Sequence, residues 1–310
     1  RGLETAWAPF VMRSHMWSGV SDDFIHGGMI MSEKFYNRLI REIRRFHENP
    51  PALVSAYERA LQTDDVELLK GFSRCILLNF RPWVVSFPRW LGHIYGNCPD
   101  PEVRRLILED MEDEDKKDPH PLARDGHVGL HRRLLHALGV SDEEMEDWDS
   151  YPPEILSVVH SFYEFARTYP WQEGVAAIMS SELTNVRDLP KIYPDQIELG
   201  ETRGAGAALM WTILKKLILA GALRKEDVAF LFAHDWTLLD ELEGKPVDRT
   251  RGTEVKHAVY VLKALVEHTP PEREESVLRA FRLGLRMFWS YFNTMGREGH
   301  AFLNRALGTA

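Results

Sequence analysis

Six residues could together do chemistry that an ordinary helical protein does not need: Glu114, His127, Glu182, His234, Glu254 and His257. Each sits on the apolar stripe of a segment with helical periodicity. In 101–115 the stripe is Val103, Leu106, Ile107, Asp110, Met111 and then Glu114; in 126–139 it is His127, Leu130, Leu134 and Leu138. In 171–188 it runs Val175, Ile178, Met179, Glu182 and Val186; in 225–241, Phe230, His234, Leu238 and Glu241; in 253–268, Glu254, His257, Val261 and Leu265. A buried carboxylate costs several kcal/mol unless it is paired, protonated or bound to metal. One inward histidine alone reads as a hydrogen-bonded core residue, and one inward glutamate as an arginine partner. Inward carboxylates and imidazoles recurring on separate helices point instead to a pair of divalent cations. The carboxylates would carry and bridge the charge, and the imidazoles would complete coordination while leaving positions open for dioxygen. Asp110 reads as bonding backbone, His131 and His136 as surface or supporting residues, and His47 as incidental.

The elements that must position these residues are helices. Helical periodicity covers 33–47, 51–62, 65–80 continuing through 84–96, 101–115, 126–139, 153–169, 171–188, 203–221, 225–241, 253–268 and 271–296. No convincing period-2 run and no Asn-Gly or Asp-Gly hairpin turn argues for strands. Asn49-Pro50-Pro51, Tyr151-Pro152-Pro153 and Thr269-Pro270-Pro271 punctuate the helices, and Asp100-Pro101 reads as an N-cap followed by proline at the first helical position. The charged stretch 115–125 and the glycine-containing 242–252 read as loops. The expectation is one all-α, bundle-like domain over 1–310, with its core at about 33–296.

Composition narrows the function. Hydrophobic residues make up 44% and charged residues 27% of 310 residues, an ordinary globular balance. A net charge of -9, with no basic stripe, argues against a nucleic-acid partner. Cys75 and Cys98 match neither a zinc nor a redox spacing. With no spanning segment and no signal-like apolar run in 1–10, the expectation is a cytoplasmic protein without a membrane partner.

A resemblance enters at 98–140. "CPDPEVRRLILEDMEDED" followed by "GHVGLHRRLLHALGV" resembles haem-oxygenase-like non-haem diiron oxidases and oxygenases: a helix ending in a glutamate-bearing acidic cluster, then a histidine opening a helix. "AAIMSSELTNVRDLP" resembles the helix that carries the next carboxylate, which falls on Glu182. The family's last ligands form a His-x-x-x-Asp-x-x-His motif, and here the pattern departs. "VAFLFAHDW" matches the approach to the first histidine, giving His234, but Leu238 and Glu241 stand where Asp and His are expected. "TEVKHAVYVLKALVEH" resembles the second half, with Glu254 and His257, so an insertion containing 242–252 separates the halves. Asp240 and Glu241 stay as rival ligands.

The resemblance implies a haem-oxygenase-like bundle binding two iron ions and using O2 to oxidise an unactivated C–H bond or an amine. Glu114, Glu182 and Glu254 would bind or bridge metal, with His127, His234 and His257 as terminal ligands. A free aliphatic amino acid is the expected substrate, desaturated, hydroxylated or cyclised in natural-product biosynthesis, because Arg132, Arg187, Arg203 and Asp235 lie near the inferred site. An external electron donor and a homodimer are compatible with it. The alternatives are a metal-free enzyme of the same fold, similar to thiamin-salvage hydrolases or pyrroloquinoline quinone synthase, and a helical binding protein. Glu254-x-x-His257 also resembles ferritin-like diiron proteins, which want two such pairs where this chain offers one.

Overall fold

Proline and hydroxyl chemistry decide where the helices of this chain run on and where they break. The computed structural model describes residues 22–115, 120–186, 205–247 and 253–309, with backbone only for 22–33, 113 and 253–255. Among the described residues every regular element is helical. The order is α1 (Asp22–Glu48), α2 (Ala52–Ala60), α3 (Val66–Asn97), α4 (Pro101–Asp115), α5 (His127–Ala137), α6 (Asp142–Glu146) and α7 (Pro153–Thr168). It continues through α8 (Trp171–Ile178), α9 (Ser180–Thr184), α10 (Ala205–Leu219), α11 (Ala229–His234), α12 (Thr237–Leu242), α13 (Thr253–His268) and α14 (Glu274–Leu307). The all-α expectation holds.

The two longest helices, α3 and α14, pack on each other and carry α2, α7 and α8 around them. Asp65 caps α3 by accepting from the Leu68 amide, and the helix continues through Pro82 and Pro88. A proline inside a helix removes a donor and opens the ladder. The Tyr291 hydroxyl of α14 fills that opening, accepting from the Trp83 amide at 3.3 Å and donating to the Asn79 carbonyl at 2.7 Å. Around it the Trp83 ring lies 5.0 Å from Trp90, 5.2 Å from Phe162 and 4.8 Å from Phe288, an aromatic core binding α3, α7 and α14. Gly284 lets α14 close on α8: a Cβ there would fall 2.0 Å from the Ala177 carbonyl oxygen.

Two expected helices are broken instead. The span 171–188 divides at Met179 into α8 and α9. The Ser180, Ser181 and Thr184 hydroxyls donate to carbonyls three residues earlier, at 3.0, 2.8 and 2.7 Å, competing with the helical ladder. The span 225–241 becomes a 3-10 turn, Lys225–Val228, then α11 and α12. Asp235 is extended, with φ -152° and ψ 93°. Its carboxylate accepts from the Thr237 amide at 3.0 Å and its hydroxyl at 2.5 Å, so it starts a new helix rather than continuing the old one. No helix among the described residues is long and apolar enough to cross a membrane.

Candidate metal centre

Glu114, His127 and His234 come from three helices, and one ligand-type atom of each lies within 4.8 Å of the others. Glu114 occupies the last turn of α4 and is 7% exposed; His127 opens α5 and is 3% exposed. The His127 Nδ1 is 3.0 Å from Glu114 Oε1. This approach depends on Gly126, where a Cβ would lie 2.5 Å from the Glu114 carbonyl oxygen and so push the two helix ends apart. His234 ends α11, and its ring stacks on His127 with centroids 4.1 Å apart and planes at 26°. The Phe230 carbonyl lies 2.7 Å from His234 Nδ1; accepting there fixes the tautomer and leaves Nε2 as the ring's lone-pair donor.

A second group lies one helical turn away on α4. His257 of α13, 1% exposed, has its Nδ1 3.2 Å from Asp110 Oδ1 and 3.4 Å from Glu182 Oε2. Glu182 reaches it from α9, where it is buried. Burial pushes the Glu182 carboxyl up to about 7; the His257 hydrogen bond opposes this, and the charges of Asp110 and Glu114 add to it. Three buried carboxylates and three imidazoles thus face one interior region, from α4, α5, α9, α11 and α13. Such oxygen and nitrogen donors suit a divalent transition metal, whose charge would offset the carboxylates.

The sequence reading placed Glu114, His127, Glu182, His234 and His257 here, and the structure brings all five inward. Glu254 lies on the backbone of α13, one turn before His257, and its side chain is outside the described residues. Of the rival ligands, Glu241 accepts from the Trp211 indole at 3.1 Å and Lys215 at 2.9 Å, while Asp240 is half-buried on α12. Neither belongs to the group formed by Glu114, His127 and His234. Asp110 was read as a backbone-bonding residue; instead it is fully buried against His257. His131, one turn after His127, is also fully buried, edge-on to Phe80 and Phe230, and burial pulls its pKa down to about 3, so the ring is neutral. Its i+4 spacing from His127 was the signal that could have marked it.

Beside His234 lies a cavity of about 190 Å³. Leu77, Phe80, Met210, Phe230, Phe292 and Met295 give it an apolar wall, and Thr184, Asn185 and Asp235 join it on the side of His234. His47, read as incidental, also lines it. Arg132 does not: its guanidinium pairs with Asp142, and both side chains are about half exposed. Arg187 and Arg203 lie outside the described residues.

Comparison with known proteins agrees on the fold. Residues 77–192, which include Asp110, Glu114, His127 and Glu182, match the TENA/THI-4/PQQC family profile. The chain is 31% identical over 117 residues to a 4-aminobenzoate synthase of Chlamydia muridarum, covering 37% of this chain and 44% of the relative. It is 25% identical over 169 residues to a pyrroloquinoline-quinone synthase of Acinetobacter baumannii, covering 54% and 61%. The chain thus spans about half the length of the curated relatives it matches. A solved TenA homolog from Pseudomonas syringae pv. tomato superimposes with a TM-score of 0.51 at 12% identity, over 86% of this chain and 92% of that one. At that identity the likeness shows the fold alone, the haem-oxygenase-like helical bundle that the resemblance implies.

Proposed function

We propose that this chain is an O2-dependent non-haem diiron oxidase or oxygenase acting on a small molecule with an apolar body. The observation that carries the reading is the convergence of buried Glu114 and His127 with half-buried His234. Glu182 and His257 extend the set toward a second ion, and Glu254 joins them by the resemblance. Two bound ferrous ions would supply the electrons and open coordination positions that dioxygen chemistry requires. The chain's own part is positional. Gly126 lets α5 meet the end of α4, and the Phe230 carbonyl holds the His234 ring. The aromatic and methionine walls of the cavity keep water from the reacting face and select for apolar substituents.

The aliphatic part of the expected amino-acid substrate suits this wall. Its charged part loses Arg132, which pairs with Asp142 elsewhere, while Asp235 lines the cavity. Relatives named as synthases of 4-aminobenzoate and pyrroloquinoline quinone support a small-molecule substrate. The second reading is a metal-free enzyme on this fold. Anaerobic ferrous titration of the metal-free chain, followed by oxygen-uptake measurements with and without candidate substrates, separates the two. Two equivalents bound and substrate-dependent uptake are expected; absence of binding, with turnover surviving in chelator, would establish the metal-free reading.

A further inference from the structure

Among His127, His131 and His234, only His234 lines the apolar cavity; the other two rings are buried away from it. One side chain stands against all three. The Phe230 ring is itself buried, and its centroid lies 4.6 Å from that of His234, 4.9 Å from His131 and 6.1 Å from His127, edge-on in each case. The same residue lines the cavity. Phe230 and His234 are one turn apart on α11, so both stand on the same face of that helix. The group that holds the His234 Nδ1 is the Phe230 carbonyl, a backbone atom, so the phenyl ring is not needed for that anchoring. Its position gives it a different task, as an apolar partition between the cavity and the enclosed imidazoles.

We infer that Phe230 is a specificity-determining residue: its ring ends the cavity beside His234 and sets how far an apolar substrate advances toward Glu114, His127 and His234. The inference rests on the metal reading above and adds what limits the substrate. At about 190 Å³ the cavity is close in size to an engineered apolar cavity of about 150 Å³ that holds benzene, so it suits a short aliphatic or single-ring body. Removing the phenyl ring would extend this space toward His127 and His131. The competing role for the ring is packing alone, as a support for the imidazoles with no bearing on what the cavity accepts.

The probe is a series of straight-chain primary alcohols, butanol to decanol, titrated by calorimetry into the full metal-free chain. In the parent, affinity should rise about fourfold with each added methylene until the alcohol fills the cavity, and then level off. Phe230→Ala should move the levelling point toward longer alcohols by about two carbons or more, because an apolar space opened by truncation stays dry and accepts apolar ligands. Phe230→Leu keeps a branched apolar side chain at the position and guards against an alanine variant that does not fold. It should give a smaller shift of the same sign. A levelling point that stays put in the folded variants overturns the proposal, leaving the ring a packing role. Cobalt(II) titration of the same proteins, followed by visible absorption, tests the metal reading separately. The parent should bind the ion, and the variants should bind it within about tenfold, since the backbone carbonyl still holds His234. If the parent binds no cobalt, the metal reading fails and the role assigned to Phe230 falls with it, whatever the alcohols show.

Discussion

The two halves of this molecule handle buried polar groups in opposite ways. In the aromatic half, built from α3, α7 and α14, a proline opens a helix and a neutral hydroxyl closes the gap: Tyr291 bridges the Trp83 amide and the Asn79 carbonyl. The site half, built from α4, α5, α9, α11 and α13, also has helix breaks, at Met179 and Asp235, but there buried carboxylates face imidazoles. In the first half protein atoms alone close that gap. In the second, the Glu182 carboxyl is held up to about 7 by burial and by neighbouring charges, so ionising it is costly. Removing a polar group should therefore destabilise one half and relax the other.

The largest contrast is in turnover. His257→Ala should abolish oxygen-dependent turnover in a steady-state oxygen-uptake assay. Glu241→Ala, which breaks the Trp211 and Lys215 contacts, should leave turnover within about twofold and cost about 1 kcal/mol or less. The opposite order would mean that the helix after His234 supplies a ligand.

Next in size is the pH dependence of the metal-free chain. Glu182 rises from 4.5 to about 7 on folding, so the folded state holds its proton more tightly than the unfolded state. Its contribution is fully present below pH about 4.5 and is lost as pH climbs through about 7, on the order of 3 kcal/mol in all. Urea melts across this range should show the decline, and Glu182→Gln should flatten it. A parent whose stability rises from pH 5 to 7 by as much would break the comparison between the halves.

In the aromatic half the sign reverses. Tyr291→Phe leaves a buried amide and a buried carbonyl without their bridge, and should cost about 1–3 kcal/mol in denaturant melts with metal affinity unchanged. The smallest effect links the halves to sequence detail. Gly126→Ala should move the end of α4 by a few tenths of an ångström or more, weakening metal binding by roughly tenfold, in line with a misplaced supporting group. Calorimetric titration reads this directly, and an unchanged affinity would show that the α4–α5 junction can yield without cost to the site.

How legible this was in the sequence depended on range. Helices α4 and α13 lie at 101–115 and 253–268 as the periodicity predicts, and the inward stripe positions Glu114, His127, Glu182, His234 and His257 all face the interior. The breaks were harder to see, because they arise from competition. Hydroxyls at Ser180, Ser181 and Thr184 bond earlier carbonyls, and Asp235 bonds Thr237, while the apolar pattern runs on through both. Asp110 was read differently because its partner His257 lies on another helix, far along the chain, and no local spacing connects them. Gly126 shows the same limit: its need for a hydrogen side chain comes from the close approach of the Glu114 backbone.

The central claim is that the carboxylates of the site half are held for a cation. Thermal melts of the parent and Glu182→Gln, each metal-free and ferrous-loaded under anaerobic conditions, test it most directly. The metal-free variant should melt above the metal-free parent, by the equivalent of about 1 kcal/mol or more, and gain far less than the parent on adding iron. A metal-free variant that melts below the parent, with the iron-dependent rise intact, would contradict it.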